Sequence, residues 1–259
     1  MPEPLPLSVA IVTLNEEADL PRCLESVRGL AKEIVVLDSG STDRTAEIAR
    51  NFGATFEMQP WAGFVAQKTA AFGFCKQPWV LNLDADEVVS PELADALRKL
   101  FSNGEPTTNG FEINRRTFYL GDWIWHAWNP DWVMRLVRRD GARWTGHDPH
   151  AHLAVTGATT RLSGDLLHYS YRDLEDHLTR TIHYARVGAA RYETEGRAVR
   201  WYNLVFSPWA AFAKKVILKS AWRDGWRGWV IACATGFGVL AKYAFVLEKR
   251  MKRSASDKV

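Results

Sequence analysis

Short apolar runs alternate with amphipathic stretches through the first 83 residues. Residues 7–13, 33–38, 54–58 and 79–83 read as strands. Between them, 20–27 places Leu20, Leu24 and Val27 on one face, 45–52 is closed by Gly53, and 64–75 completes a third helix. Strands alternating with helices predict an α/β domain whose mostly parallel sheet is covered by helices on both faces. Beyond residue 104 the pattern changes. Residues 111–115 and 132–138 still read as strands, in a segment crowded with Trp123, Trp125, Trp128, Trp132 and Trp144. Residues 173–195 form one long helical stretch ending at Gly196, with Leu174, His177, Leu178, Thr181, Ile182 and Ala185 as its stripe. Ser207-Pro208 is expected to open a further helix, in which Trp209, Phe212, Ala213, Val216, Ile217 and Ser220 share a face. The chain therefore divides into 1–104, 105–172 and a helical appendage at 173–259.

Polar positions cluster where the strands end. The run Val80-Leu81-Asn82-Leu83 stops abruptly in Asp84, Asp86 and Glu87. Asn15, Glu16 and Glu17 follow the first strand, and Asp38 and Asp43 the second. Ligands of such sheets bind outside the carboxyl ends of the strands. Carboxylates gathered there suit a hard divalent cation that takes further oxygens from a substrate phosphate. The plainer explanation, that these acids only start the next helix, is weakened because Ser90-Pro91 supplies its own N-cap and first helical residue.

Charge is unevenly spread. Residues 197–259 hold 13 Lys plus Arg against 3 Asp plus Glu, a balance of +10. The whole chain is +3, so the first 196 residues carry −7. The basic tail also contains Trp201, Trp209, Trp222, Trp226 and Trp229. Basic, aromatic and amphipathic together describe a helix lying in a membrane interface, with an anionic surface as partner. A core-packed helix with a solvated basic face is the alternative. Residues 229–241 are 13 in number without a charge, short of the roughly 20 needed to span, so an interfacial hairpin is expected rather than a crossing. The apolar content argues against a nucleic-acid partner. Cys23, Cys75 and Cys233 are far apart and read as unpaired thiols. No secretory pattern is visible at Met1-Pro2-Glu3-Pro4, and a cytoplasmic location is expected. His147, His150 and His152 do not have the spacing of a zinc helix motif, and a polar active-site loop is expected there.

The series Thr13-Leu14-Asn15-Glu16-Glu17, Asp38-Ser39-Gly40-Ser41-Thr42-Asp43, Gln67-Lys68 and Leu83-Asp84-Ala85-Asp86-Glu87 resembles family 2 glycosyltransferases of the GT-A fold. Within them it looks like the WaaE-like branch, which adds a sugar to the lipopolysaccharide inner core. The resemblance continues through Trp128-Asn129-Pro130-Asp131, Arg135-Leu136, the stretch from Gly164 to Tyr171, Phe206-Ser207-Pro208 and Asp224-Gly225-Trp226. It implies an inverting, metal-dependent transferase using Mg²⁺ or Mn²⁺, a UDP-sugar donor, and a glycan or glycolipid acceptor. It places the enzyme peripherally on the cytoplasmic face of the inner membrane. Residues 1–104 would then be the nucleotide-sugar half and 105–172 the acceptor side. Thr13, Asn15, Glu17, Asp38, Asp43, Lys68 and Asp84 would hold the donor, Asp86 and His168 the metal, and Trp128 and Asp131 would serve substrate binding. One departure matters. Relatives in that branch carry a His-Glu pair where this chain has His150-Ala151, so Asp148 is expected as the base, with His150 as the alternative. A sugar nucleotidyltransferase and a non-catalytic membrane-binding protein on the same fold are the rival readings. The acidic character of Asn15-Glu16-Glu17 argues against the first, whose first loop is usually glycine-rich and basic.

Overall fold

The computed structural model describes residues 3–102, 104–148 and 150–256, with the side chains of His147, His150 and residues 254–256 outside that description. The chain forms two compact units, Met1–Arg116 with Asp131–His168, and Thr117–Pro130 with Tyr169–Val259.

The first unit begins as the alternation predicts: β1 (Leu5–Thr13), α1 (Leu20–Val27), β2 (Ala31–Asp38), α2 (Thr45–Asn51), β3 (Thr55–Met58), α3 (Phe64–Phe74) and β4 (Trp79–Asp84). It continues with β5 (Glu87–Val89), α4 (Pro91–Ser102), β6 (Gly110–Tyr119), β7 (Asp122–Trp123), β8 (Trp132–Arg138), β9 (Ala142–His147), β10 (His150–Val155) and β11 (Thr159–His168), of which β7 and the end of β6 belong to the second unit. The main strand order is β3-β2-β1-β4-β8-β6-β11-β5. β1 is parallel to β2 and β4, and β2 to β3. Beyond β4 the pairing turns antiparallel, with β8 against β4 and β6, and β5 against β11. The parallel half is buried on both faces, because alternate residues of a strand point to opposite sides. Leu7, Val9 and Ile11 pack with Leu20, Leu24 and Val27 of α1, whereas Ala10, Val35 and Leu37 pack with Ala71 and Cys75 on the other face. The β9–β10 hairpin joins that second core through Trp144 and Leu153. Ser90 caps α4 as expected, its Oγ accepting the Leu93 N–H at 3.1 Å. Gly164 (φ +91°) lies so close to the α4 backbone that a Cβ there would sit 2.5 Å from the Leu93 nitrogen.

The second unit is helical. α5 (Leu174–Thr194) is capped by Asp173, which accepts the Asp176 N–H, and ends before Gly196 at φ +63°. α6 (Trp201–Ala213) is followed by a π-turn at Lys214–Leu218, a short 3₁₀ turn at Ala221–Asp224, and α7 (Gly225–Ser256). α6 therefore starts six residues before the expected opening at Ser207-Pro208, and Pro208 lies inside it. The Asn203 side-chain oxygen accepts the Arg200 N–H at 2.9 Å and secures the earlier start. Proline removes one N–H from the ladder, but α6 has no buried residue, so the interruption does not fall in a core. α6 and α7 run antiparallel, with Phe212 against Trp229 and Gly236 beneath the Pro208 carbonyl. At the other end of the unit, Phe118 and Tyr119 of β6 pair with β7, and Tyr119 packs with Trp128, Tyr171 and His177.

Candidate active site

Two loops close over the ends of β1 and β2. Asn15, held at φ +56°, donates its N–H to Ser41 Oγ and accepts the Thr42 N–H at 2.9 Å. Glu16 donates its N–H to Thr45 Oγ1, and Glu17 donates its own to Asp43 at 3.1 Å. The Glu17 carboxylate in turn accepts from Arg44. Asp43 accepts the Thr45 N–H and hydroxyl as well; these bonds lower its pKa against a desolvation that would raise it. Asp38 lies 1 % exposed at the end of β2 and accepts from the Thr13 hydroxyl, the Gly40 and Ser41 N–H groups and the Ser41 hydroxyl. The expected donor residues Thr13, Asn15, Glu17, Asp38 and Asp43 thus meet at one edge, and their mutual bonds set the shape of that edge.

The end of β4 carries a chain of alternating charges. Lys68 of α3 donates to Asp84 Oδ1 at 2.6 Å, and Arg135 of β8 donates to Asp84 Oδ2 at 2.7 Å. Arg135 also bonds the fully buried Glu87, which lies 3.7 Å from Arg115, itself bonded to Asp131 at 2.8 Å. Burial opposes ionisation of Asp84, yet Arg135 and Lys68 outweigh it and hold the carboxyl well below the usual carboxylate range. Burial likewise disfavours the Arg135 charge, and Asp84 and Glu87 more than restore it. Lys68 lies 4.9 Å from the centroid of the Trp144 ring. Asp131, a sequence candidate, is therefore tied into this chain, while Trp128 lies in the second unit, stacked on Tyr171 at 5.3 Å.

Asp86 meets His168, the last residue of β11, at 3.2 Å between Oδ2 and Nε2. The Nδ1 of His168 is buried and has no hydrogen-bond partner among the described residues. Among the described residues, no group of three or more His, Cys, Asp or Glu side chains is placed to hold a metal ion. The donor set nevertheless fits a divalent cation with two protein ligands, one carboxylate and one imidazole, because such ions commonly take their remaining oxygens from substrate phosphate and water. Asp84 is occupied by two cationic side chains and is the poorer ligand.

Asp148, at the tip of the β9–β10 hairpin, accepts the Phe64 N–H at 2.8 Å, at the start of α3. Gly63 (φ +98°) makes room for it: a Cβ there would sit 2.3 Å from Asp148 Oδ2. The Asp148 carboxylate thus reaches the start of α3. The side chain of His150, the alternative base, lies outside the described residues.

A cleft of about 310 Å³ opens among these elements, lined by Thr13, Leu14, Trp61, Phe64, Lys68 and Asp84, among others. Three contributors were not singled out from the sequence. Trp61 and Phe64 form an aromatic wall, edge to face at 4.8 Å, with 47 % and 40 % of their surface exposed. Arg135 organises the acids, but its partners Asp84 and Glu87 lie 51 and 48 residues away, and only its place in the Arg135-Leu136 motif hinted at a role.

Residues 8–156 match the Glycosyl transferase family 2 profile. The lipopolysaccharide core biosynthesis glycosyltransferase LpsC of Rhizobium meliloti (strain 1021) is 32 % identical over 254 residues, covering 93 % of this chain and 90 % of that protein. The uncharacterized glycosyltransferase RP128 of Rickettsia prowazekii (strain Madrid E) is 28 % identical over 95 % of this chain and 88 % of its own length. In fold, the chain resembles the mannosyltransferase PcManGT of Pyrobaculum calidifontis, solved with GDP-Man and Mn²⁺, at a TM-score of 0.55 and 15 % identity, covering 95 % of this chain and 89 % of that one. With the profile spanning more than half of the residues and the acids, cleft and sheet arranged as above, the chain belongs to the family 2 glycosyltransferases and has a GT-A type fold.

Proposed function

We propose that the protein moves a sugar, glucose in first place, from a UDP-sugar to a lipopolysaccharide-core or other lipid-linked envelope glycan, with inversion at the anomeric carbon. The observation that carries the reading is the cleft itself: it is lined by residues at the ends of β1, β2 and β4, among them the Lys68–Asp84 pair, and Asp84 lies two residues before Asp86, which meets His168. The similarity to a lipopolysaccharide core glycosyltransferase over 93 % of the chain supports the acceptor class. Thr13, Asn15 and Asp38 would shape the nucleoside end, and Lys68 would offset diphosphate charge. A Mg²⁺ or Mn²⁺ ion held by Asp86 and His168 would supply positive charge to the departing diphosphate. Asp148 is the base in this reading. One of its oxygens is held by the Phe64 N–H, and the other would take the acceptor hydroxyl proton. The acceptor oxygen forms its bond to the anomeric carbon from the opposite face as the bond to the diphosphate oxygen breaks, and the electron pair leaves on UDP.

The membrane partner rests on the second unit. Trp201, Phe206, Trp209, Ile217, Leu218, Trp222 and Trp226 are each more than half exposed. Exposed Lys214, Lys219 and Arg223 lie beside them in sequence. Contiguous exposed apolar surface marks an interaction site, and a basic, Trp-rich rim suits an anionic lipid interface. Lys215 does not contribute: it donates to the Ala127 carbonyl at 2.8 Å, and burial, with Lys219 and Lys214, lowers its pKa. α7 with its preceding turn is long and apolar enough to cross a membrane by length and composition. Its Ile231, Ala232, Ala234, Tyr243 and Val246 are buried within the protein, which favours the interfacial reading. The three free cysteines accord with the cytoplasmic face.

The test is incubation with labelled UDP-sugars, Mn²⁺ and isolated lipopolysaccharide core. Released UDP with label on the acceptor is the expected result. Asp86→Asn should cut that turnover by about 10²–10³-fold, since an amide is a poor ligand for a hard cation. Normal turnover of that variant across a Mn²⁺ titration would overturn the metal assignment, and no turnover by the wild-type chain with any donor would overturn the enzyme reading.

A further inference from the structure

Trp61 and Phe64 are exposed aromatic side chains of the first unit, and both line the cleft. They stand on the loop between β3 and α3 and at the first residue of α3. Nothing in the core requires them, since neither belongs to a buried cluster. The cleft is lined by two chemically different groups of side chains: Glu16, Lys68 and Asp84 are charged, whereas Leu14, Trp61 and Phe64 are apolar. Leu14 is itself 47 % exposed, so part of the apolar lining is open to an entering group. A ligand that suits both groups carries charge on one part and a flat, apolar face on another.

We infer that Trp61 is the stacking platform for the nucleobase of the donor, with Phe64 bracing its ring edge-on. The inference rests on the nucleotide-sugar reading above and assigns a subsite within it. Ring-on-base contact uses the π-face that every base offers. The slot therefore contributes affinity without choosing uracil, and choice of base falls to the polar groups at the ends of β1 and β2. The position of the platform also has a mechanical consequence. Gly63, between the two rings in sequence, is the point where Asp148 touches the start of α3. A base seated on Trp61 would order the same loop that receives the candidate proton acceptor.

The experiment is calorimetric titration of the full chain with three probes, UDP, GDP and inorganic pyrophosphate, each with Mn²⁺ present. Trp61→Ala should weaken UDP by about 10–100-fold, the range of one lost base–aromatic stack, and GDP by a similar factor. Pyrophosphate, which has no base, should bind the variant as it binds the wild type. Trp61→Phe should recover most of the loss, which guards against a general disturbance of the loop. Unchanged UDP affinity in Trp61→Ala would overturn the inference. Parallel weakening of UDP and pyrophosphate would do the same, because Trp61 would then act on cleft shape. A wild-type chain that bound pyrophosphate but neither nucleotide would overturn the donor reading, and the slot with it.

Discussion

The two units handle their unusual side chains in opposite ways. In the first, the acids at the strand ends are matched to donors inside the protein: Asp84 to Lys68 and Arg135, Glu87 to Arg135, Asp38 to four hydrogen bonds. In the second, the large aromatics of α6 and the turn after it face solvent, and α6 buries no residue at all. Buried charge that is paired and hydrogen-bonded is held in one geometry, as the proposed diphosphate site would require. Exposed Trp and Leu beside lysine gain nothing from the fold and have most to gain from a surface outside it. Pre-organisation belongs to the first unit and availability to the second.

The sharpest way to break this contrast is at Asp148. Asp148→Asn should lower acceptor turnover by about 10²–10⁴-fold, the usual contribution of a general base, while UDP affinity changes little. His150→Ala is the companion variant. A large loss there, with a mild effect at Asp148, would move the base to His150.

Next in size is Arg135→Met. It leaves fully buried Glu87 without its closest cation and Asp84 with Lys68 alone. Breaking one partner of a buried ion pair costs about 3–5 kcal/mol, which thermal unfolding would register as a clear drop in Tm. A variant as stable as the wild type would mean that the charge chain is not what holds this edge.

A smaller effect is expected in the second unit. Lys214→Glu with Lys219→Glu should weaken binding to anionic vesicles by about 30-fold or more, because each basic residue near such a surface contributes about 1 kcal/mol. Added salt should weaken the wild type in the same direction and leave an apolar remainder. Trp222→Ala should reduce that remainder. Full pelleting of the charge-reversed protein would remove the electrostatic part of the reading. The same reversal should leave UDP binding intact, since all the proposed donor residues lie in the first unit.

The smallest effect concerns His177. Its Nδ1 lies 2.6 Å from the Tyr119 hydroxyl, and burial lowers its pKa from the usual 6.5, with Asp176 opposing. A histidine with a depressed folded pKa stabilises the fold above its unfolded value, and that contribution is lost as pH falls through the folded one. Tm should therefore decline below about pH 6.5, and His177→Gln should flatten this part of the profile. An identical acid slope in the variant would assign the decline to other groups.

What could be read from the chain was whatever depends on neighbours in sequence. The period-2 and helical periods located β1 to β4 and α1 to α3 to within a few residues, because burying one face of each element forces the pattern. The acids after β1, β2 and β4 were visible as candidates for the same reason: a polar run that interrupts an apolar strand marks its end. Ser90 as the α4 cap is another local signal that held. At Ser207-Pro208 the local signal misled, because Asn203 offered an equally local start six residues earlier and an exposed helix tolerates the proline. Lys215 stands beside Lys214 in the basic tail, and nothing local distinguishes the two, but the fold brings the Ala127 carbonyl to Lys215 across 88 residues.

Sequence by itself thus determined the α/β order, the family and the edge of the sheet where the candidate site residues gather, all of which follow from periodicity and from motifs a few residues long. The tertiary structure alone decided what each acid meets. Arg135 reaches Asp84 from another strand, whereas Asp86 meets the end of β11 at His168. It also decided that Trp61 and Phe64 face a cleft and not a core. Ion pairing and exposure depend on distances between segments far apart in the chain, and those distances exist only once the sheet has closed.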